Sequence, residues 1–194
     1  MAELKKRDIL AEVLIGSLTA VAFEEMIRTV HDSASRHGLT PLTLGLALIF
    51  ALTTIRFLVG NLLSIIKRDA ESRSGFKWFY DLMVIVALAA VLAFLGGLCG
   101  EDNVALKFSF FDVLCVVFMI DAIWILSLWL GERKLLLWEW FGLDIVMLAL
   151  TLGVYAFSGR ATAYTPAGIL FFVVANILVF GVDVWLQKER YHLF

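Results

Sequence analysis

The sequence predicts an all-α integral membrane protein, a bundle of about six transmembrane helices with N-terminus and C-terminus cytoplasmic. Three observations point there. Hydrophobic residues make up 61% of the 194 positions. The mean hydropathy of +0.91 exceeds what a soluble surface tolerates, so apolar side chains must face lipid. The apolar runs are continuous over about 20 residues, the length a helix needs to cross roughly 30 Å of hydrocarbon, whereas barrel strands alternate over about ten.

The spans are expected at roughly 10–30, 42–66, 77–98, 108–130, 136–158 and 166–187. The first is the weakest, because its clean apolar core runs only from Leu14 to Phe23 and it carries Glu12, Glu24, Glu25 and Arg28. It can cross the bilayer or lie in the interface. The second and sixth open at Pro41 and Pro166, the only prolines, which leaves helix centres unbroken. The third carries small residues Ala89, Ala93 and Gly97 at helical spacing, a stripe that lets it approach a neighbour closely. Phe108, Phe110 and Phe111 mark the outer edge of the fourth. Trp78, Phe79, Tyr80, Trp138, Trp140, Trp185 and Tyr191 gather at the expected inner interface, where amphipathic rings are favoured. The connections are short, so residues 1–194 form a single transmembrane domain.

Orientation follows from the cations. Lys5, Lys6, Arg7, Lys67, Arg68, Arg73, Lys77, Arg133, Lys134, Lys188 and Arg190 fall on one side, against Arg28, Arg36, Lys107 and Arg160 on the other, which places both termini in the cytoplasm. The apolar run after Lys6-Arg7 reaches Glu24 and Glu25 without a small-residue cleavage site, so the first helix is expected to stay in the mature protein. A compact chain with minimal outer loops fits a bacterial inner (plasma) membrane.

Charge excludes some functions. Lys+Arg 16 against Asp+Glu 18 offers no basic surface for a nucleic-acid backbone, so direct nucleic-acid binding is not expected. Cys99 and Cys115 lie in apolar segments and read as packing residues, and His31, His37 and His192 lie near polar ends. No metal and no cofactor is expected. The spans also lack a Schiff-base lysine, regularly spaced arginines and a phosphate loop.

Ionisable groups inside hydrocarbon cost about 2.5 to 3.5 kcal/mol each, so they face the bundle interior and have partners. Counted from each span's cytoplasmic end, Arg56 lies about ten residues deep, Asp121 about nine and Asp144 about eight, one layer within roughly 3 Å. Arg56 held by two carboxylates leaves one negative charge for a cation or proton; the same residues also fit a structural ion-pair clamp. Asn61 and Thr53 flank Arg56 and can complete either arrangement. Glu24 and Glu25 are separated by about 100° of helix, so one faces a pore, a partner subunit or the outer interface. Asp81, Asp183, Glu12 and Glu139 near the inner boundary, and Asp112 near the outer one, are expected to be wet or at helix ends.

Tyr80-Asp81-Leu82-Met83, Phe111-Asp112-Val113-Leu114 and Leu143-Asp144-Ile145-Val146 form a weak internal echo, one per helix. An aromatic at the interface followed by an acid in the first turns suits the membrane belt and the helix dipole. Phe79-Tyr80-Asp81, Phe141-Gly142-Leu143-Asp144 and Pro166-Ala167-Gly168 also resemble the signatures of presenilin-type intramembrane aspartyl proteases. That resemblance implies Asp81 and Asp144 as a catalytic pair. Two departures count against it: Leu143 stands where the family has a second glycine, and a whole span separates two helices that would run parallel. The expectation is therefore no enzyme.

The leading functional expectation is an ion or proton pathway, a channel-like ion transport function in a homo-oligomer, passing Arg56, Asp121 and Asp144 with Glu24, Glu25 and Asn61 as further lining. The alternative is a non-catalytic membrane anchor or sensor subunit that recruits a cytoplasmic partner through Lys67, Arg68, Arg73, Lys77, Arg133 and Lys134. A pathway needs the aspartates on a wet face; an anchor needs them dry and paired.

Overall fold

A computed structural model describes residues 2–66, 75–100, 109–132 and 135–191, with side chains described at 9, 13–57, 79–100, 109–130 and 138–186. The described residues form helices α1 (Ala2–His37), α2 (Pro41–Ile66), α3 (Gly75–Gly96), α4 (Phe110–Glu132), α5 (Leu135–Ser158) and α6 (Pro166–Tyr191), and no strand. A short 3-10 turn, Arg160–Tyr164, precedes α6. Four windows are long and apolar enough to cross a membrane: Phe79–Gly96, Phe110–Leu130, Trp138–Ser158 and Pro166–Leu186. A shorter apolar stretch, Pro41–Phe57, lies in α2. The chain is membrane-embedded by this criterion.

Helix ends are set by local chemistry. The Thr-Pro pair is used twice. Thr40 Oγ1 accepts from the Thr43 amide at 3.2 Å ahead of Pro41, and Thr165 Oγ1 accepts from the Gly168 amide at 3.1 Å ahead of Pro166. In each case threonine caps an orphan amide and proline occupies the first helical position, where its missing N–H costs nothing. α1 and α5 end at Gly38 (φ 76) and Gly159 (φ 82), left-handed residues that close a helix without a Cβ clash.

The helices form a closed ring in the order α1, α2, α6, α5, α4, α3, with α3 returning to α1. Direction alternates along the chain. Ser33 of α1 meets Thr43 of α2 at the hairpin end, while α2 runs parallel to α6, Thr53 donating to Asn176 at 3.1 Å. α3 runs parallel to α1, and the two pack closely at Gly96, where a Cβ would stand 2.7 Å from the Ala22 carbonyl oxygen. Ala93 and Gly97 lie beside Val21 and Glu25 of α1, so the small-residue stripe faces α1, with Gly96 one step off the stripe. Without a hydrophobic force between helices in lipid, such close packing and interhelical hydrogen bonds hold the bundle.

The interior has two apolar parts. The larger is rich in phenylalanine, with Phe57 against Phe118 at 6.0 Å and Phe111 against Phe172 at 4.4 Å between ring centroids. The smaller holds Trp124, Ile125, Leu128, Trp140 and Leu186. Val116, Met119, Ile123 and Leu130 of α4 are exposed at helical spacing, as lipid-facing residues of a membrane bundle would be. Phe79, Tyr80, Trp138 and Trp185 are also exposed and suit the aromatic belt, whereas Trp140 is buried and does not belong to it.

Candidate functional site

Between the phenylalanine and tryptophan parts lies a layer of buried charge. Arg56 of α2 points inward, where α4, α5 and α6 offer it acids rather than lipid. Its Nη2 stands 2.7 Å from Asp144 Oδ1 of α5, and its Nε donates to Asp183 Oδ2 of α6 at 3.2 Å. Asp121 of α4 is a third Coulombic neighbour, with its carboxyl group beside that of Asp144. Arg56 is 6% exposed, Asp144 0%, Asp183 3% and Asp121 5%, so all four lie outside solvent and lipid. The guanidinium also sits 5.4 Å from the Phe57 ring, a cation–π contact strengthened by desolvation.

α3 completes the set. Asp81 is buried and accepts from Trp124 Nε1 at 3.1 Å. Each of α3, α4, α5 and α6 therefore contributes one buried aspartate, and α2 contributes the arginine. Three carboxylates surround one guanidinium, leaving acid in excess. Pairing is also incomplete: Asp144 lacks a well-aligned hydrogen bond at either oxygen, and Arg56 Nη1 and Trp140 Nε1 are buried donors without an acceptor. A cavity of about 20 Å³, lined by Arg56, Phe57, Asp121, Trp124, Ile125, Trp140 and Asp183, opens beside them. That is room for about one water.

The other candidate residues lie elsewhere. Glu24 lines an open groove of about 620 Å³ on α1 with Phe23, Ile27, Arg28 and His31. Glu25 pairs with Arg28 and borders a second groove with Phe94 and Gly97. Thr53 is buried but bonds Asn176, not Arg56. Asn61 and Lys77 are helical, with side chains outside the described set, and Lys67, Arg68, Arg73, Arg133 and Lys134 lie outside the described residues. Among the described residues no group of three or more His, Cys, Asp or Glu side chains can hold a metal ion.

Two expectations are corrected. Asp81 and Asp183 are not wet residues at helix ends but buried members of the layer. α6 continues to Tyr191, so counting from the helix end puts Asp183 about eight residues deep, level with Asp144; the hydropathy boundary had hidden this. The helix-dipole explanation of the repeated aspartates holds for Asp112 alone. Asp112 sits in the first turn of α4 and accepts from the Ser109 amide at 2.9 Å and the Ser109 hydroxyl at 2.7 Å. Asp81 and Asp144 stand well inside their helices, beyond the reach of an end effect. They also take different partners, the Trp124 indole and the Arg56 guanidinium.

Comparison with protein-family models, with curated proteins and with solved structures finds nothing that matches the chain.

Proposed function

We propose that this chain is a six-span membrane protein, with both termini cytoplasmic, whose Arg56–aspartate layer is the interior site of an ion or proton pathway. The single observation that carries the reading is the excess of acid: Asp121, Asp144 and Asp183 face one guanidinium at a depth where uncompensated charge is costly. A purely structural clamp would balance its charges. An excess of carboxylate is what a site needs in order to take up a positive charge and give it back.

The crossing of α1 is supported by its packing, since it lies parallel to the apolar helix α3 from Ile15 beside Ala89 to Ala22 beside Gly96. A helix lying in the interface would cross α3 at a steep angle. The open α1 grooves bearing Glu24 and Glu25 suit association between copies of the chain, and a bacterial inner membrane suits its short loops.

A second reading is favoured by the dryness of the aspartates and the direct contacts of Arg56 with Asp144 and Asp183, the arrangement expected of an anchor, so the pathway reading rests on the acid excess and the small cavity beside it. In that reading the charges only lock the bundle, and the protein anchors a cytoplasmic partner at its basic inner face. Flux into liposomes under an imposed membrane potential separates the two. A pathway gives proton or cation flux in the native protein that Asp121→Asn and Asp144→Asn reduce while remaining folded; absence of flux in the native protein selects the anchor.

A further inference from the structure

The layer discriminates between the two kinds of charge a pathway can carry, and this inference rests on the pathway reading above. We infer that Asp121 binds a single proton, hydrated by one water in the cavity between Arg56 and Trp140, and that the site excludes metal cations.

The proton follows from the geometry of the acids. Asp121 and Asp144 are both buried, and Asp121 lines the cavity beside Arg56, Trp140 and Asp183, whereas the guanidinium contacts are made to Asp144 and Asp183. Three ionised carboxylates around one guanidinium offer only acceptors and repel one another, and a proton on one of them relieves the excess. Arg56 contacts Asp144 and Asp183 directly, which leaves Asp121, the acid without a guanidinium contact, as the one that carries the proton. The proton comes from bulk water and bonds to an Asp121 oxygen. With Arg56 positive and Asp183 ionised, uptake lowers the negative excess of these four side chains from two charges to one. Among the described residues, Asp81 is held by Trp124 on the α3 side, Glu139 of α5 has a buried carboxyl oxygen, and Glu24, Glu25 and Arg28 of α1 line surface grooves instead.

Selectivity follows from the cavity. Its volume of about 20 Å³ admits about one water and no hydrated metal ion. Two of its lining residues, Arg56 at 6% and Trp140 at 7% exposure, carry buried N–H groups that lack an acceptor. A water satisfies both donors through its lone pairs and gives its hydrogens to carboxylates at Asp121 and Asp183. A sodium or potassium ion would meet two N–H dipoles of the wrong sign and a fixed guanidinium. Trp140 is thus a positioning residue: it holds the water that solvates the proton.

Infrared spectroscopy of the full chain in lipid nanodiscs tests the proposal through the carboxylic-acid C=O band, a signal that ionised carboxylates lack. The native protein at neutral pH should show a band that Asp121→Asn diminishes by one protonated carboxyl per chain. Trp140→Phe should shift its position without removing it, and exchanging choline for sodium or potassium should leave it unchanged. No such band, or a band erased by sodium or potassium, overturns the proposal. If Asp121→Asn fails to fold, the native band and its indifference to the cation still decide. A band without proton flux keeps the site and retires the pathway; flux without a band does the reverse.

Discussion

Two Arg–Asp contacts, one at a helix end and one inside the bundle, show how setting decides what the same chemistry does. At the start of α4 Arg160 meets Asp112, one cation to one anion, with side chains 56% and 21% exposed. Asp112 there also caps Ser109, Ser109 Oγ approaches Tyr155, and Arg160 lies over the Tyr155 ring. At the inner layer Arg56 meets Asp144 and Asp183 with Asp121 beside them, all nearly inaccessible. The outer pair is balanced and screened by water, so it finishes a helix end. The inner one is unbalanced and dry, so its protonation is tied to the fold and to whatever crosses it.

The difference can be broken by removing each arginine. Arg56→Ala strands the Asp144 and Asp183 carboxylates in a dry interior and should destabilise the protein by about 3 to 5 kcal/mol, read from thermal or denaturant unfolding in detergent. Arg160→Ala removes an exposed partner, and its unfolding should be indistinguishable from the native protein. Between these extremes lies packing between the helices. Gly96→Ala puts a Cβ against the Ala22 carbonyl and should cost about 1 to 3 kcal/mol by pushing α1 from α3, measured in the same unfolding experiment. Asp112→Ala should cost about 1 kcal/mol through loss of the α4 cap, a fraying that amide hydrogen exchange at Ser109 and its neighbours would register.

Much of this architecture was legible in the chain, and the exceptions share a cause. Hydropathy located the apolar helices, and the two prolines marked the starts of α2 and α6 because a Thr-Pro cap has a local signature. Equal depth drew attention to Arg56, Asp121 and Asp144, which the structure brings together. Asp183 and Asp81 escaped because an apolar window ends where charge begins, whereas a helix continues past it. Trp140 escaped for the opposite reason: a tryptophan near a membrane boundary reads as a belt residue, and only the packing of α4 on α5 turns it inward. Which face of each helix looks inward is a tertiary fact, and in a span apolar on every side no periodicity records it.

The most direct measurement uses Asp121→Asn, which replaces the proton-carrying carboxyl by a neutral amide of similar shape without taking a direct partner from Arg56. Stability and proton flux are read from the same liposome-reconstituted sample. The variant should unfold no earlier than the native protein, since a neutral amide takes the place of an acid that is itself neutral, and its proton flux should be lost. A variant that is equally folded and conducts protons as well as the native chain would contradict the assignment of the layer to proton movement.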